Sequence, residues 1–243
     1  PMAAAHARNL CAGLAAPLAR QGMGQRLRVS AGVVVVDPED PRSADELLRC
    51  ANLALAQARS SGPVAIFDQA LADDVAERGR IDRLVGELVD AGSVRLGYQP
   101  IIRLDDRQTV GAEALLRVPD AAGATVPACE IVAAAERTGL MAELGHLVLH
   151  QACADASNWR SAFPDSSLHV AVNLSAHQLG DPTLPSRIRS VLTSTGLDPS
   201  ALCLEVTESA LMADPSLSVR LLREIRDQGI RLAVDDFGTG YSS

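Results

Sequence analysis

Five oxygen-bearing side chains recur near the ends of strand-like runs in the second half of the chain: Glu113, Asn173, Glu205 and the adjacent pair Asp235 and Asp236. The intervals are 60 residues from Glu113 to Asn173, 32 from there to Glu205, and 30 on to Asp235. About 30 residues is one strand–helix unit, and the longer interval leaves room for two helices. Equivalent ends of neighbouring parallel strands converge, and in barrels that C-terminal face holds the active site. Adjacent carboxylates repel, and a cation between them relieves the repulsion. Carboxylate and amide oxygens suit Mg²⁺ or Mn²⁺, whereas zinc prefers nitrogen and sulfur. An oxygen-lined metal site is a common way to split a phosphodiester. Taken singly, Glu113 reads equally as an exposed strand residue, Asn173 as a loop hydrogen-bonder and Glu205 as a surface charge. It is their joint order that argues for a site. His146 and His150, four apart on a helix, have no evident third ligand and read as a helix pair, not a zinc site.

The elements that must position these groups follow from hydrophobic periodicity. Residues 3–21 are Ala-rich, with Leu10, Leu14 and Leu18 at helical spacing. Residues 27–36 read as a valine-rich strand. Ser43 and Glu46 have capping-box spacing and open a helix that Gly62 closes, with Leu47, Leu48, Ala51, Leu55 and Ala58 on one face. A short strand at 63–67 follows, then a helix at 71–92 with Ile81, Leu84, Val85 and Leu88 on one side. Strands at 94–102 and 109–118 are joined by a turn at Asp105–Arg107, which predicts an antiparallel hairpin. Helices at 129–138 and 141–159 come next. Strands at 168–174, 202–207 and 230–236 then alternate with helices at 185–195 and 215–228. Both an open doubly wound sheet and a (β/α) barrel accommodate this order. No GxGxxG follows the first strand, so a dinucleotide-binding sheet loses its main support.

The bulk composition narrows the classes further. A hydrophobic content of 47% supports a packed core, and aromatics of only 2% make that core mostly Leu, Val and Ala. A net charge of −8 argues against a duplex nucleic acid surface, which wants a basic face. Five cysteines without CxxC spacing fit buried thiols in a reducing, cytoplasmic compartment. There is no membrane-length apolar run and no signal-peptide pattern. The start at Pro1 and the stop after Ser243 mark the expectation of a piece of a longer protein, whose membrane attachment through an upstream region stays open.

The run VSAGVVVV, the helix carrying LLRCANLALAQARSSG and the strand after it resemble the C-terminal part of a GGDEF (diguanylate cyclase) domain over residues 3–70. The family's signature loop lies upstream of this stretch. Asn52, Ala56 and Arg59 stand where that family usually has Asp, Tyr and Lys, which speaks against cyclase activity.

A second resemblance covers residues 81–243. YQPI at 98–101, GAEALLR at 111–117, AERTGL at 135–140 and LGHLVLHQAC at 144–153 follow the order of EAL-domain proteins. So do VNLSAHQL at 172–179, LEVTES at 204–209 and DDFGTGYSS at 235–243. Ile131, Val132 and Ala133 stand where the family commonly has Phe-Ile-Pro, a change that keeps an apolar face. EAL domains are metal-dependent phosphodiesterases that open cyclic di-GMP to linear pGpG. The resemblance implies metal ligation by Glu113, Asn173, Glu205, Asp235 and Asp236, with Glu113, Asp235 and Asp236 catalytic. It implies substrate contacts from Gln99, Leu115 and Arg117, whose guanidinium fork suits a phosphate. Glu208 is implied as anchor of the DFGTG loop, a regulatory loop coupled to dimerisation. The expected cofactor is Mg²⁺ or Mn²⁺, the partner cyclic di-GMP, and the assembly a homodimer when intact.

The fold expectation is α/β: a partial GGDEF-type α/β sheet over 1–70, a connector helix at 71–92, and an incomplete TIM-like (β/α) barrel of EAL type over 93–243. The family places a further lysine, glutamate and glutamine beyond DDFGTGYSS. Five strands do not close a barrel of about 250 residues, so an exposed edge, low stability and inactivity are expected of this piece. The alternative for the parent is a catalytically silent module that binds cyclic di-GMP or a protein.

Overall fold

The computed structural model describes residues 2–19, 28–120, 123–164 and 166–236. The chain divides into two compact units, Pro1–Arg80 and Ile81–Ser243.

The first unit contains α1 (Met2–Ala19), β1 (Ala31–Val33), α2 (Ala44–Ser61), β2 (Val64–Ile66) and the start of α3 (Gln69–Ala91). β1 and β2 pair in parallel, Gly32 opposite Ala65. The capping box forms: the Ser43 hydroxyl accepts the Glu46 N–H, and the Glu46 carboxylate accepts the Ser43 N–H at 2.6 Å. The apolar faces differ from the leucine pattern. Ala4, Ala7 and Cys11 are buried in α1 while Leu10 and Leu14 are exposed, and in α2 Ala54 and Ala58 are buried while Leu48 is exposed. The side chain of Leu18 lies outside the described residues. Close approach explains the preference for small residues. A Cβ on Gly32 would sit 2.2 Å from the Ala51 carbonyl oxygen and 2.3 Å from the Leu55 nitrogen, so β1 runs against the backbone of α2. β1 is also shorter than the valine run, because its partner β2 has only three residues.

In the second unit Ile81 and Val85 of α3 are buried. β3 (Leu96–Ile102) and β4 (Thr109–Leu116) form the expected antiparallel hairpin. A small hairpin, β5 (Val118–Pro119) with β6 (Thr125–Val126), was not legible in the periodicity. α4 (Ala128–Thr138) ends at Gly139, whose φ of 75° is the left-handed stop, and α5 (Met141–Ala162) follows. Then come β7 (His169–Leu174), α6 (Ala176–Leu179), α7 (Leu184–Thr195), β8 (Leu202–Thr207), α8 (Glu208–Ala213), α9 (Pro215–Arg226) and β9 (Arg231–Asp235).

The sheet order is β3-β4-β7-β8-β9, with β4, β7, β8 and β9 parallel. The order advances without reversing, so this sheet lacks the switch point of a doubly wound fold. Right-handed crossovers that all step the same way stack their helices on one face. Val170, Val172, Leu202, Leu204 and Val206 accordingly join Leu149 and Cys153 of α5, Ile188 and Val191 of α7 and Ile225 of α9 in one core. Among the described residues the sheet is open, with β3 and β9 at its edges.

Candidate functional site

Strand alternation sends the neighbours of those core residues to the opposite face. Gln99 is the register partner of Glu113, and Glu113 is in turn the partner of Ala171 on β7. Asn173 is opposite Glu205, Glu205 opposite Ala233, and Asp235 opposite Thr207. Gln99, Glu113, Leu115, Asn173, Glu205 and Asp235 therefore share one face, the one the helices leave uncovered. Ala171 and Cys203, small and buried, occupy the places between the acids on that face.

Two observations couple these groups. The Asn173 side-chain amide donates to a carboxylate oxygen of Glu113 at 2.8 Å. The Glu205 carboxyl is held above its ordinary value, first by burial and then by the charges of Glu113 and Asp235. Glu205 on β8 thus feels the charges of Glu113 on β4 and Asp235 on β9. Among the described residues, however, no three His, Cys, Asp or Glu side chains stand close enough to enclose a metal ion. The donor chemistry suits a hard divalent cation, and the arrangement is open.

Arg117 follows β4 directly. Its N–H bonds the Arg95 carbonyl, and its guanidinium stays exposed, with one N–H to the Leu116 carbonyl at 3.2 Å. Its stem lies over Gly97, where a Cβ would come within 3.0 Å of the Arg117 Nε. The absence of a side chain at Gly97 leaves that arginine its place, a contribution sequence reasoning missed. Asp236 lies one residue beyond β9, with φ 53° and its N–H bonded to the Asp235 carboxylate at 2.9 Å. That left-handed residue ends the strand alternation. Glu208 opens α8, next to Thr207, whose hydroxyl caps the helix by accepting the Ala210 N–H. Residues 237–243, including the glycines of DFGTG, lie outside the described residues.

A second support was also missed. The Tyr98 hydroxyl donates to Asp155 of α5 at 2.5 Å, and Gln151 donates to the other carboxylate oxygen at 3.0 Å. The Tyr98 ring meets Trp159 edge-on at 4.6 Å. Burial, then Asp155, raise the Tyr98 phenol far above its usual range, so it remains a donor. This clamp ties the edge strand β3 to α5 beside Gln99. His146 and His150 are exposed on α5 with ring centroids 6.3 Å apart, a surface pair. Two small cavities lie near the site. One of about 130 Å³, mostly apolar, reaches Leu115 and Asn173, and one of about 140 Å³ lies among α5, α6 and α7. Glu113, Glu205 and Asp235 line neither.

Comparison with known proteins adds to this geometry. Residues 82–243 match the EAL domain. A signalling protein of Caulobacter vibrioides is 38% identical over 232 residues, which is 95% of this chain and 28% of that protein. The bifunctional diguanylate cyclase/cyclic di-GMP phosphodiesterase MucR of Pseudomonas aeruginosa is 31% identical over 220 residues, covering 89% of this chain and 32% of that protein. The chain therefore spans about a third or less of the length of these relatives. Among solved structures, the PaMucR phosphodiesterase in complex with c-di-GMP superposes with a TM-score of 0.63 at 34% identity, covering 68% of this chain and 66% of that one.

Proposed function

The chain belongs to the EAL-domain family, and from that premise we propose that its second unit is the metal- and substrate-binding part of a cyclic di-GMP phosphodiesterase that yields linear pGpG. The observation that carries this reading is the single face on which Glu113, Asn173, Glu205 and Asp235 come together, with Asn173 bonded to Glu113 and Glu205 raised by its acidic neighbours. These four and Asp236 are the proposed ligands of Mg²⁺ or Mn²⁺. When bound, the metal supplies a Lewis acid and a water activated toward phosphorus. Asn173 orients Glu113 through its amide. Glu113, Asp235 and Asp236 supply the negative charge that the cation neutralises. Arg117 offers an exposed fork to a phosphate, while Gln99 and Leu115 line the approach from β3 and β4. Glu208, at the β8–α8 turn, is the proposed anchor of the loop that follows Asp236.

Residues 1–70 are proposed to be the C-terminal part of a GGDEF domain, with 71–92 as connector and a closed barrel and a homodimer in the intact protein. The alignment with MucR covers 89% of this chain, so it runs into the first unit and supports the tandem reading. The departures at Asn52, Ala56 and Arg59 from the usual cyclase residues favour one alternative, a catalytically silent module that binds cyclic di-GMP or a protein partner. Chromatographic assay of pGpG release with Mn²⁺ or Mg²⁺, beside calorimetric binding of cyclic di-GMP, separates the two. Metal-dependent turnover that falls more than about 100-fold in Glu113→Gln, beyond the 10–100-fold typical of a lost outer-shell partner, supports the enzyme. Both measurements are made on the intact protein, since this piece alone is expected to be inactive under either reading, and binding without turnover there supports the silent module.

A further inference from the structure

Asn173 lies two residues before Ser175, the N-cap of α6, and α6 has only four residues. A helix that short does not hold itself in place. The turn after β7 is instead held by Leu179, buried in the core, and by Gln178, one of the few buried polar side chains among the described residues, at 8% exposure. Its carboxamide oxygen accepts the Ser175 N–H at 3.0 Å, and its backbone N–H donates to the Ser175 hydroxyl at 3.3 Å. Its amide nitrogen lies on Gly145 in the second turn of α5, where a Cβ would be only 2.2 Å away. The two cavities share Gly145, Leu149 and Gln178, so Gln178 borders both. Asn173 lines the apolar one of the two.

We propose that Gln178, seated on Gly145, is a positioning residue for Asn173: it fixes the β7–α6 turn so that the Asn173 amide stays on the Glu113 carboxylate. Leu179 of α6 also packs into the core with Leu149 and Cys153 of α5, but it is the Gln178 carboxamide that holds the Ser175 N–H. The two cavities it borders leave the Gln178 amide free to swing once it is displaced, and the Ser175 N–H then loses its acceptor. The link to catalysis rests on the proposed phosphodiesterase reading of Asn173. The positional claim itself is independent of what the site hydrolyses.

Gly145→Ala tests the claim without removing Gln178. Alanine is favoured over glycine in a helix interior, so α5 itself is not weakened, while the new methyl displaces the Gln178 amide. The first readout is the Asn173 side-chain amide resonance in the metal-free chain, with its hydrogen exchange. The second is Mn²⁺ affinity by calorimetry. In Gly145→Ala and Gln178→Ala the Asn173 amide is expected to shift toward solvent-exposed values and exchange faster, and Mn²⁺ binding is expected to weaken about 10-fold. Ile188→Ala, a cavity-forming change in the same core on α7, serves as control for general destabilisation and leaves that resonance in place. An unmoved Asn173 resonance in Gly145→Ala overturns the proposal, as does an equal movement in Ile188→Ala. If the unmodified chain binds no Mn²⁺, the metal-site reading fails, and the metal-free resonance still decides the positional claim.

Discussion

Glu205 is the carboxylate whose surroundings least favour its charge. Its folded-state value is raised by burial and then by Glu113 and Asp235. A carboxyl raised on folding contributes stability below its unfolded value and loses it as pH rises through the folded one. In metal-free buffer, Glu205→Gln is therefore expected to raise the melting temperature at neutral and alkaline pH, with the gain vanishing in acid. A scan of thermal midpoint against pH checks this, and a gain that persists unchanged in acid contradicts it. Tyr98 presents the opposite case, a satisfied donor. Tyr98→Phe leaves one oxygen of Asp155 without its partner and is expected to cost about 1–2 kcal/mol in urea unfolding. At this scale Glu113, Asn173, Glu205 and Asp235 were legible because their spacing counts strand–helix units. Tyr98 with Asp155, Gly97 with Arg117 and Gly145 with Gln178 were not. Each pairs residues on different elements, and no local period announces such a contact.

At the scale of elements, the strands of the second unit and the longer helices followed the hydrophobic period closely, since burial of one face sets both. The departures concentrate where backbones approach. α1 and α2 bury alanines and not the leucines the period favours, because a helix lying against β1 has no depth for larger side chains. Gly111 in β4 is a similar point: a Cβ there would stand 2.5 Å from the His169 carbonyl oxygen of β7. Gly111→Ala pushes against backbone that cannot swing aside. Overpacking of this kind typically costs about 1–3 kcal/mol, read from the denaturant midpoint of the second unit. Ser43→Ala removes one half of the α2 capping box and is expected to cost about 1 kcal/mol in the first unit.

For the molecule as a whole, periodicity alone left the doubly wound and barrel windings open. Both alternate strand and helix, and only spatial strand order separates them. The unreversed order and the single helix-covered face favour winding in one direction. The chain contains one tryptophan, Trp159, and it packs against the core of the second unit. Its fluorescence reports that unit alone. Addition of Mn²⁺ with cyclic di-GMP is expected to raise the thermal midpoint seen by Trp159, as binding to the native state must. In Glu113→Gln the shift is expected to shrink or disappear. A wild-type midpoint indifferent to both ligands counts against the site.

The staggered register of the acidic face has one more consequence. From the partner of Glu113, Ala171, the site climbs two residues to Asn173, stays level to Glu205, and climbs two more from Ala233 to Asp235. That rise is about 13 Å along the strands, against about 14 Å sideways across three strand spacings. A slope near 45° is close to the lean of strands in closed barrels, about 35–45°. What looks like a staircase along the strands becomes, against the axis of such a barrel, a nearly level ring segment. In a barrel so closed, the shear of the sheet, not the length of the side chains, would bring these four groups to one height.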